Sequence, residues 1–154
     1  MSTAAARLEP EQIVVPRDAI ISLMKAADIT RRAMTRTLQE FGLTLPQFNV
    51  LIILWHEPEL PTLEVAARLV EETPGITRLM NTLAAKRYIR RRRSRDDGRQ
   101  QLCSLTATGT RLIDAVLPGV KATQERIVAG LTRDEALQMI DLLRRLRSPE
   151  APAG

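Results

Sequence analysis

Eight cations crowd the fourteen residues from Lys86 to Arg99: Lys86, Arg87, Arg90, Arg91, Arg92, Arg93, Arg95 and Arg99. Only Asp96 and Asp97 answer them, so the segment carries +6 while the whole 154-residue chain carries +5. All the excess positive charge therefore lies in this stretch. A guanidinium is planar, permanently charged and matches phosphate oxygens with paired N–H donors, so the cluster points to a polyanion. Arginines at successive strand positions face both sides of a sheet. Buried, each would be costly to desolvate. A hairpin projecting into solvent along a phosphate backbone accommodates them.

A second group lies just upstream. Thr73, Pro74, Gly75, Thr77, Arg78 and Asn81 are short or hydrogen-bonding residues on the outer face of a helix expected from Pro74 to Lys86. Ile76, Leu79, Met80 and Leu83 take its inner face. Thr73 is the expected N-cap, with Pro74 at the first helical position. A helix fits the major groove of duplex DNA and presents its first turns to base edges. Gly75 allows close backbone approach, and the helix N-terminus favours phosphate.

Other chemistries find little support. The chain has one cysteine, Cys103, and one histidine, His56, which excludes an internal disulfide and a zinc-type ligand set. Cys103 reads as a small apolar strand residue. No glycine-rich phosphate loop, nucleophile motif or histidine–carboxylate pair is visible, so neither an enzyme nor a cofactor is expected. The longest apolar run, Val50 to Trp55, is six residues, far too short to span a membrane. A cytoplasmic protein is the natural reading.

The elements that must hold the two groups follow from periodicity and caps. Ile20, Met24, Ala27, Met34, Leu38 and Phe41 form a helical stripe over 18–41, broken once by Arg31 and stopped by Gly42. Thr44 and Gln47 form a capping box for a helix running to about His56. Pro58 and Pro61 mark a loop, after which Thr62 is expected to cap a short helix over 63–69. Strands over 88–93 and 100–106 flank the turn-rich tip Ser94–Arg99, where Asp97 is placed to brace Arg99 by a salt bridge. Thr106 caps a long helix through Arg126, bent at Pro118. Thr132 and Glu135 cap a last helix whose apolar face is Leu137, Ile140, Leu143 and Leu146. The chain divides into tails at 1–16 and 148–154 and a single domain at 17–147. The fold class is mainly α: a winged helix-turn-helix lobe at about 44–106, carrying a small β-hairpin wing, on long terminal helices at about 17–41 and 107–147.

From Phe41 to Gly109 the chain resembles the multiple-antibiotic-resistance regulator (MarR) family of winged-helix regulators. The resemblance rests on Gly42-Leu43-Thr44 with Gln47 and Leu51, then Leu63, Ala66 and Leu69, then Thr77-Arg78-Leu79 with Leu83. Asp97-Gly98-Arg99 and Leu105-Thr106-Ala107-Thr108-Gly109 complete it. It implies a homodimer built on the first and last two helices, reading a pseudo-palindromic operator in duplex DNA. It assigns the recognition helix to Pro74–Lys86 and the wing-tip arginine to Arg99, and implies repression relieved by a small, often aromatic, effector. That places Thr73, Pro74, Gly75, Thr77, Arg78, Asn81, Lys86, Arg90, Arg91, Arg92, Asp97 and Arg99 at the DNA, with Trp55 and His56 near an effector pocket. The chain departs from the family at Gly98, where an arginine is common, and at Arg87, where a glycine usually follows the recognition helix. The rival readings are an RNA-binding winged helix and a protein-scaffold domain.

Overall fold

The structure is a computed structural model, and it describes residues 14–69 and 75–147. Among the described residues six helices and three strands follow in the order α1 (Val15–Gln39), α2 (Leu45–His56), β1 (Leu60–Pro61), α3 (Thr62–Ala67), α4 (Ile76–Ala85), β2 (Ile89–Arg93), β3 (Gln101–Leu105), α5 (Ala107–Ile127) and α6 (Arg133–Arg147).

The first helix starts earlier than its stripe suggests. Val15 and Pro16 belong to α1 rather than to a tail, because proline is tolerated in a first turn whose amides have no helical acceptor. The Asp18 carboxylate receives the Val14 N–H at 2.7 Å and supplies the missing cap. The helix ends at Gln39, and Phe41 packs against the core from the turn beyond it. The expected tail at 148–154 and the remainder of the one at 1–16 lie outside the described residues.

The core gathers Leu38 of α1, Val50, Leu51 and Leu54 of α2, Met80 and Leu83 of α4, and Ile113 and Val116 of α5, all essentially inaccessible to water. Burying each such side chain contributes about 2 kcal/mol. The capping expected for α2 is present in full. Thr44 N–H donates to Gln47 Oε1 at 3.0 Å, and Gln47 N–H to Thr44 Oγ1 at 3.3 Å. Thr106 caps α5 through the Gly109 amide at 3.0 Å, and α5 runs unbroken through Pro118. Thr132 and Glu135 close a reciprocal box on α6.

The hairpin belongs to a three-stranded antiparallel sheet in the order β1-β3-β2. The segment read as a loop between Pro58 and Pro61 contributes β1, with Leu60 opposite Cys103 and Pro61 opposite Leu102. Proline is admissible there because β1 is an edge strand. Thr62 does not cap α3. Pro61 occupies the N-cap, and the Thr62 hydroxyl donates to the Gln101 carbonyl at 3.2 Å, binding the helix to the sheet.

Two long surfaces stay uncovered. No residue of α6 is buried, and Leu137, Ile140 and Leu146 are 51%, 49% and 61% exposed. On α1, Ile20 and Met24 are likewise exposed, and burial begins only at Met34. Among the described residues no helix is long and apolar enough to cross a membrane.

Candidate nucleic-acid interface

Helix α4 starts later than expected. Gly75 is its N-cap, at φ 83°, ψ 33°, with no side-chain cap bond. A residue with a Cβ is strained in that left-handed conformation, so glycine is needed here for the turn itself. Thr73 and Pro74, expected to open the helix, lie outside the described residues. Thr77, Arg78 and Asn81 are exposed along one face, while Met80 and Leu83 are fully buried on the other. Lys86 is the C-cap rather than a helical residue. The turn into the sheet passes through Arg87 at φ 59°, in the conformation that glycine would adopt without strain.

The register of β2 against β3 sorts the arginine run. Ile89 pairs with Leu105, Arg90 with Ser104, Arg91 with Cys103 and Arg92 with Leu102. Ile89 and Cys103 are buried, so Arg91, two residues beyond Ile89, shares the core-side face. Its Nη1 donates to Asn81 Oδ1 of α4 at 2.6 Å, and its Nε is buried with no hydrogen-bond partner among the described residues. Arg90 and Arg92 take the outer face. Arg90 Nε donates to Ser104 Oγ at 2.9 Å. Arg92 grips Glu59 with both ends of its fork, Nε to Oε1 at 2.9 Å and Nη2 to Oε2 at 2.5 Å. The hydrogen bond from Arg92 holds the Glu59 carboxyl below the usual carboxylate range, and the same bond raises the arginine.

The tip is organised by its own polar groups. Ser94 N–H donates to the Gln100 carbonyl at 2.9 Å, and Ser94 Oγ accepts the amides of Asp96 and Asp97 at 3.2 Å each. Asp97 does brace Arg99, but through the backbone: Oδ1 accepts the Arg99 amide at 3.0 Å. No ion pair joins the two side chains among the described residues. An Asx-type bond to the amide two residues on is the favoured use of an aspartate in a tight turn, and it leaves the Arg99 guanidinium in solvent.

The root of the wing is packed against α5. An added Cβ at Gly109 would meet the Tyr88 carbonyl oxygen at 2.1 Å. That carbonyl accepts the Thr106 amide at 3.0 Å, and Thr106 Oγ1 also donates to the Arg87 carbonyl at 2.6 Å. Sequence reasoning named Thr106 and Gly109 but not this junction, since neither residue's motif says what crosses it.

An apolar cavity of about 620 Å³ opens between α1, α2 and the α5–α6 end, lined by Ala27, Met34, Leu45, Asn49, Val128 and Leu143 among others. Neither Trp55 nor His56 lines it. They stand at the opposite end of α2, roughly 10 residues and 15 Å along the helix from Leu45. There the Trp55 indole N–H donates to Asp114 Oδ1 at 3.3 Å, and the two rings meet edge to face. Cys103 is fully buried with its sulfur 3.2 Å from Thr62 Oγ1. Among the described residues no group of three or more His, Cys, Asp or Glu side chains could hold a metal.

A sequence profile described as "Transcriptional regulator SarA/Rot" matches residues 32–116, more than half of the chain. The HTH-type transcriptional regulator TtmR of Methylorubrum extorquens is 32% identical over 128 residues, covering 79% of this chain; the chain spans 62% of that relative's length. The fold matches a mutant MarR from E. coli in complex with operator DNA, with TM-score 0.76, 21% identity, 90% of this chain and 99% of that one. It also matches BpsR of Bordetella bronchiseptica, with TM-score 0.77, 21% identity, 85% of this chain and 99% of that one; the DNA binding of BpsR is regulated by 6-hydroxynicotinic acid. The winged-helix fold that the motifs implied is thus the one observed.

Proposed function

The chain belongs to the SarA/Rot family of DNA-binding transcriptional regulators, a winged-helix family related to the MarR regulators, and from that premise we propose that it works as a homodimer that reads a pseudo-palindromic operator, most simply as a repressor. One observation carries the reading: Asn81 on the exposed face of α4 is bonded to Arg91 of the wing, so the polar helix face and the cationic hairpin form one continuous surface. Thr77 and Arg78 would face base edges, and Arg93, Arg95 and Arg99 the phosphates. The uncovered apolar faces of α1 and α6 supply the self-complementary surface that a two-fold dimer needs. Two such lobes would place α4 and its copy in successive major grooves about 34 Å apart.

The cavity supports control by a small, mainly apolar effector. It lies where α1 and α6 meet the reading lobe, so a ligand there would favour one spacing of the two α4 helices over another. The regulation of BpsR by 6-hydroxynicotinic acid supports an aromatic molecule as the first compound to try.

Selection of bound fragments from random duplex DNA tests the reading. A selected palindrome, bound by a species of twice the chain mass in light scattering, is the expected result. No retention of any duplex at low salt, or a monomer at micromolar concentration, refutes it.

A further inference from the structure

Strand β2 is gripped from both faces. On the core side Arg91 reaches α4 through Asn81 Oδ1 at 2.6 Å. On the outer side Arg92 holds Glu59, the residue before β1, with a bidentate contact. The two grips involve consecutive residues, which an extended strand turns to opposite sides, so they oppose each other across the sheet. Their partners come from different elements, the recognition helix on one side and the entry to β1 on the other.

The Arg91 contact is kept at a cost. Its Nε is buried with no hydrogen-bond partner among the described residues, and an arginine used only for phosphate would have no reason to desolvate part of its guanidinium against the body of the protein. Charge-assisted and bidentate contacts fix orientation as well as contributing energy. What this geometry fixes is the angle between α4 and the wing.

We infer that Asn81 and Glu59 are positioning residues: they clamp β2 from its two faces so that the recognition helix and the wing move as one rigid reading unit. This moves Asn81 from reader of bases to holder of the wing, and it takes Arg91 and Arg92 out of the set of phosphate contacts. The inference rests on the DNA-binding reading for its consequence, but the clamp itself is a property of the free protein.

Amide hydrogen exchange on the full chain without DNA tests it. The probes are the Ser94 and Gln100 amides, which are bonded across the tip to Gln100 O and Asp97 O. Asn81→Ala removes the acceptor from an exposed helix position that alanine suits. Tip exchange should rise by about tenfold, as for loss of one charge-assisted bond, while the thermal midpoint falls by no more than roughly 3–5 °C, part of which alanine's better helix propensity returns. Asn81→Asp keeps an acceptor for Arg91 and should restore tip exchange to the native rate. Glu59→Ala should raise it as well. On duplexes, Asn81→Ala should weaken a selected site and a scrambled one by the same factor. Native tip exchange in both alanine variants overturns the clamp whatever the DNA results. A loss confined to the selected duplex, with tip exchange unchanged, returns Asn81 to base reading. Failure of the native protein to bind any duplex would refute the DNA-binding reading and leave the exchange outcome to decide the clamp alone.

Discussion

Gly109→Ala should destabilise the protein even though it replaces the poorest ordinary helix former by the best. The substitution lies in the first turn of α5, where helix propensity alone favours alanine by about 1 kcal/mol. Against this, the new Cβ would stand 2.1 Å from the Tyr88 carbonyl oxygen and 3.0 Å from its carbon. An ordinary contact is about 3.5 Å, so backbone at the wing root must move by more than about 1 Å. That carbonyl is held by the Thr106 amide at 3.0 Å, and the neighbouring Arg87 carbonyl by Thr106 Oγ1 at 2.6 Å. Weakening these bonds costs about 1 kcal/mol each, and overpacking adds about 1–3 kcal/mol. After the propensity gain the net loss is about 3 kcal/mol, or roughly 6–12 °C in midpoint for a domain of this size. Circular dichroism melting at fixed protomer concentration measures it, the concentration being held because association shifts the midpoint. Gly119→Ala is the control. It sits mid-helix in α5 with only the Thr37 Cγ2 methyl at 3.3 Å and Phe41 Cε2 at 3.9 Å nearby, and its midpoint should stay within the equivalent of about 1 kcal/mol of native. A Gly109→Ala midpoint equal to native, or an equal fall in both variants, refutes the argument from close approach.

Three further outcomes are expected. Arg87→Gly relieves a side chain held at φ 59° and should raise the melting midpoint by roughly 2–4 °C, the equivalent of about 1 kcal/mol; a fall would show the arginine side chain to matter more than its backbone. Arg99→Ala should lower the magnitude of the slope of log affinity against log salt by roughly 2 in a dimer, one phosphate contact per protomer, equally on selected and random duplexes in a titration series. The carboxyls of Asp28, Glu59 and Glu135 are held below their ordinary values, by Arg32, by Arg92 and by the Thr132 amide respectively. A depressed carboxyl stabilises the fold above its unfolded value and loses that contribution as pH falls through the folded one. Melting midpoints should therefore hold steady above about pH 5 and decline below about pH 4, with Glu135→Gln showing a shallower decline.

What the sequence disclosed and what it withheld divide by the range of the interaction. The caps at Thr44, Thr106 and Thr132 were legible because donor and acceptor lie within three residues of each other. The apolar faces of α2 and α4 were legible because their period is fixed by the helix. The two-residue strand β1 was not, since its only reason to be a strand is a partner some forty residues later in β3. The start of α1 was misplaced because Pro16 reads as a breaker until Asp18 is seen to cap the amide of Val14. Alternation showed that the arginines of β2 face both ways, but not which ones the protein keeps for itself. Arg91 depends on a residue ten positions away and Arg92 on one thirty-three away. That a cavity opens at the other end of α2 from Trp55 and His56 was not legible for the same reason: its walls come from four separate elements.

That distinction changes the electrostatic reading of the wing. Counted from sequence, eight cations between Lys86 and Arg99 are available to DNA. In the fold, Arg90, Arg91 and Arg92 are engaged by Ser104, Asn81 and Glu59. The side chains of Lys86, Arg87, Arg93, Arg95 and Arg99 are exposed and have no hydrogen-bond or ion-pair partner among the described residues. Each released phosphate counterion contributes about 0.9 to the salt slope. Five such cations in each protomer limit this segment's share in a dimer to a slope of about −9, where all eight would allow about −14. The difference has a functional sense. Charge spent on holding the wing is withdrawn from the salt-dependent contacts, whereas the geometry it secures helps any duplex that the helix and wing can engage together. The arginines that do not touch DNA therefore act through geometry, at selected and random duplexes alike.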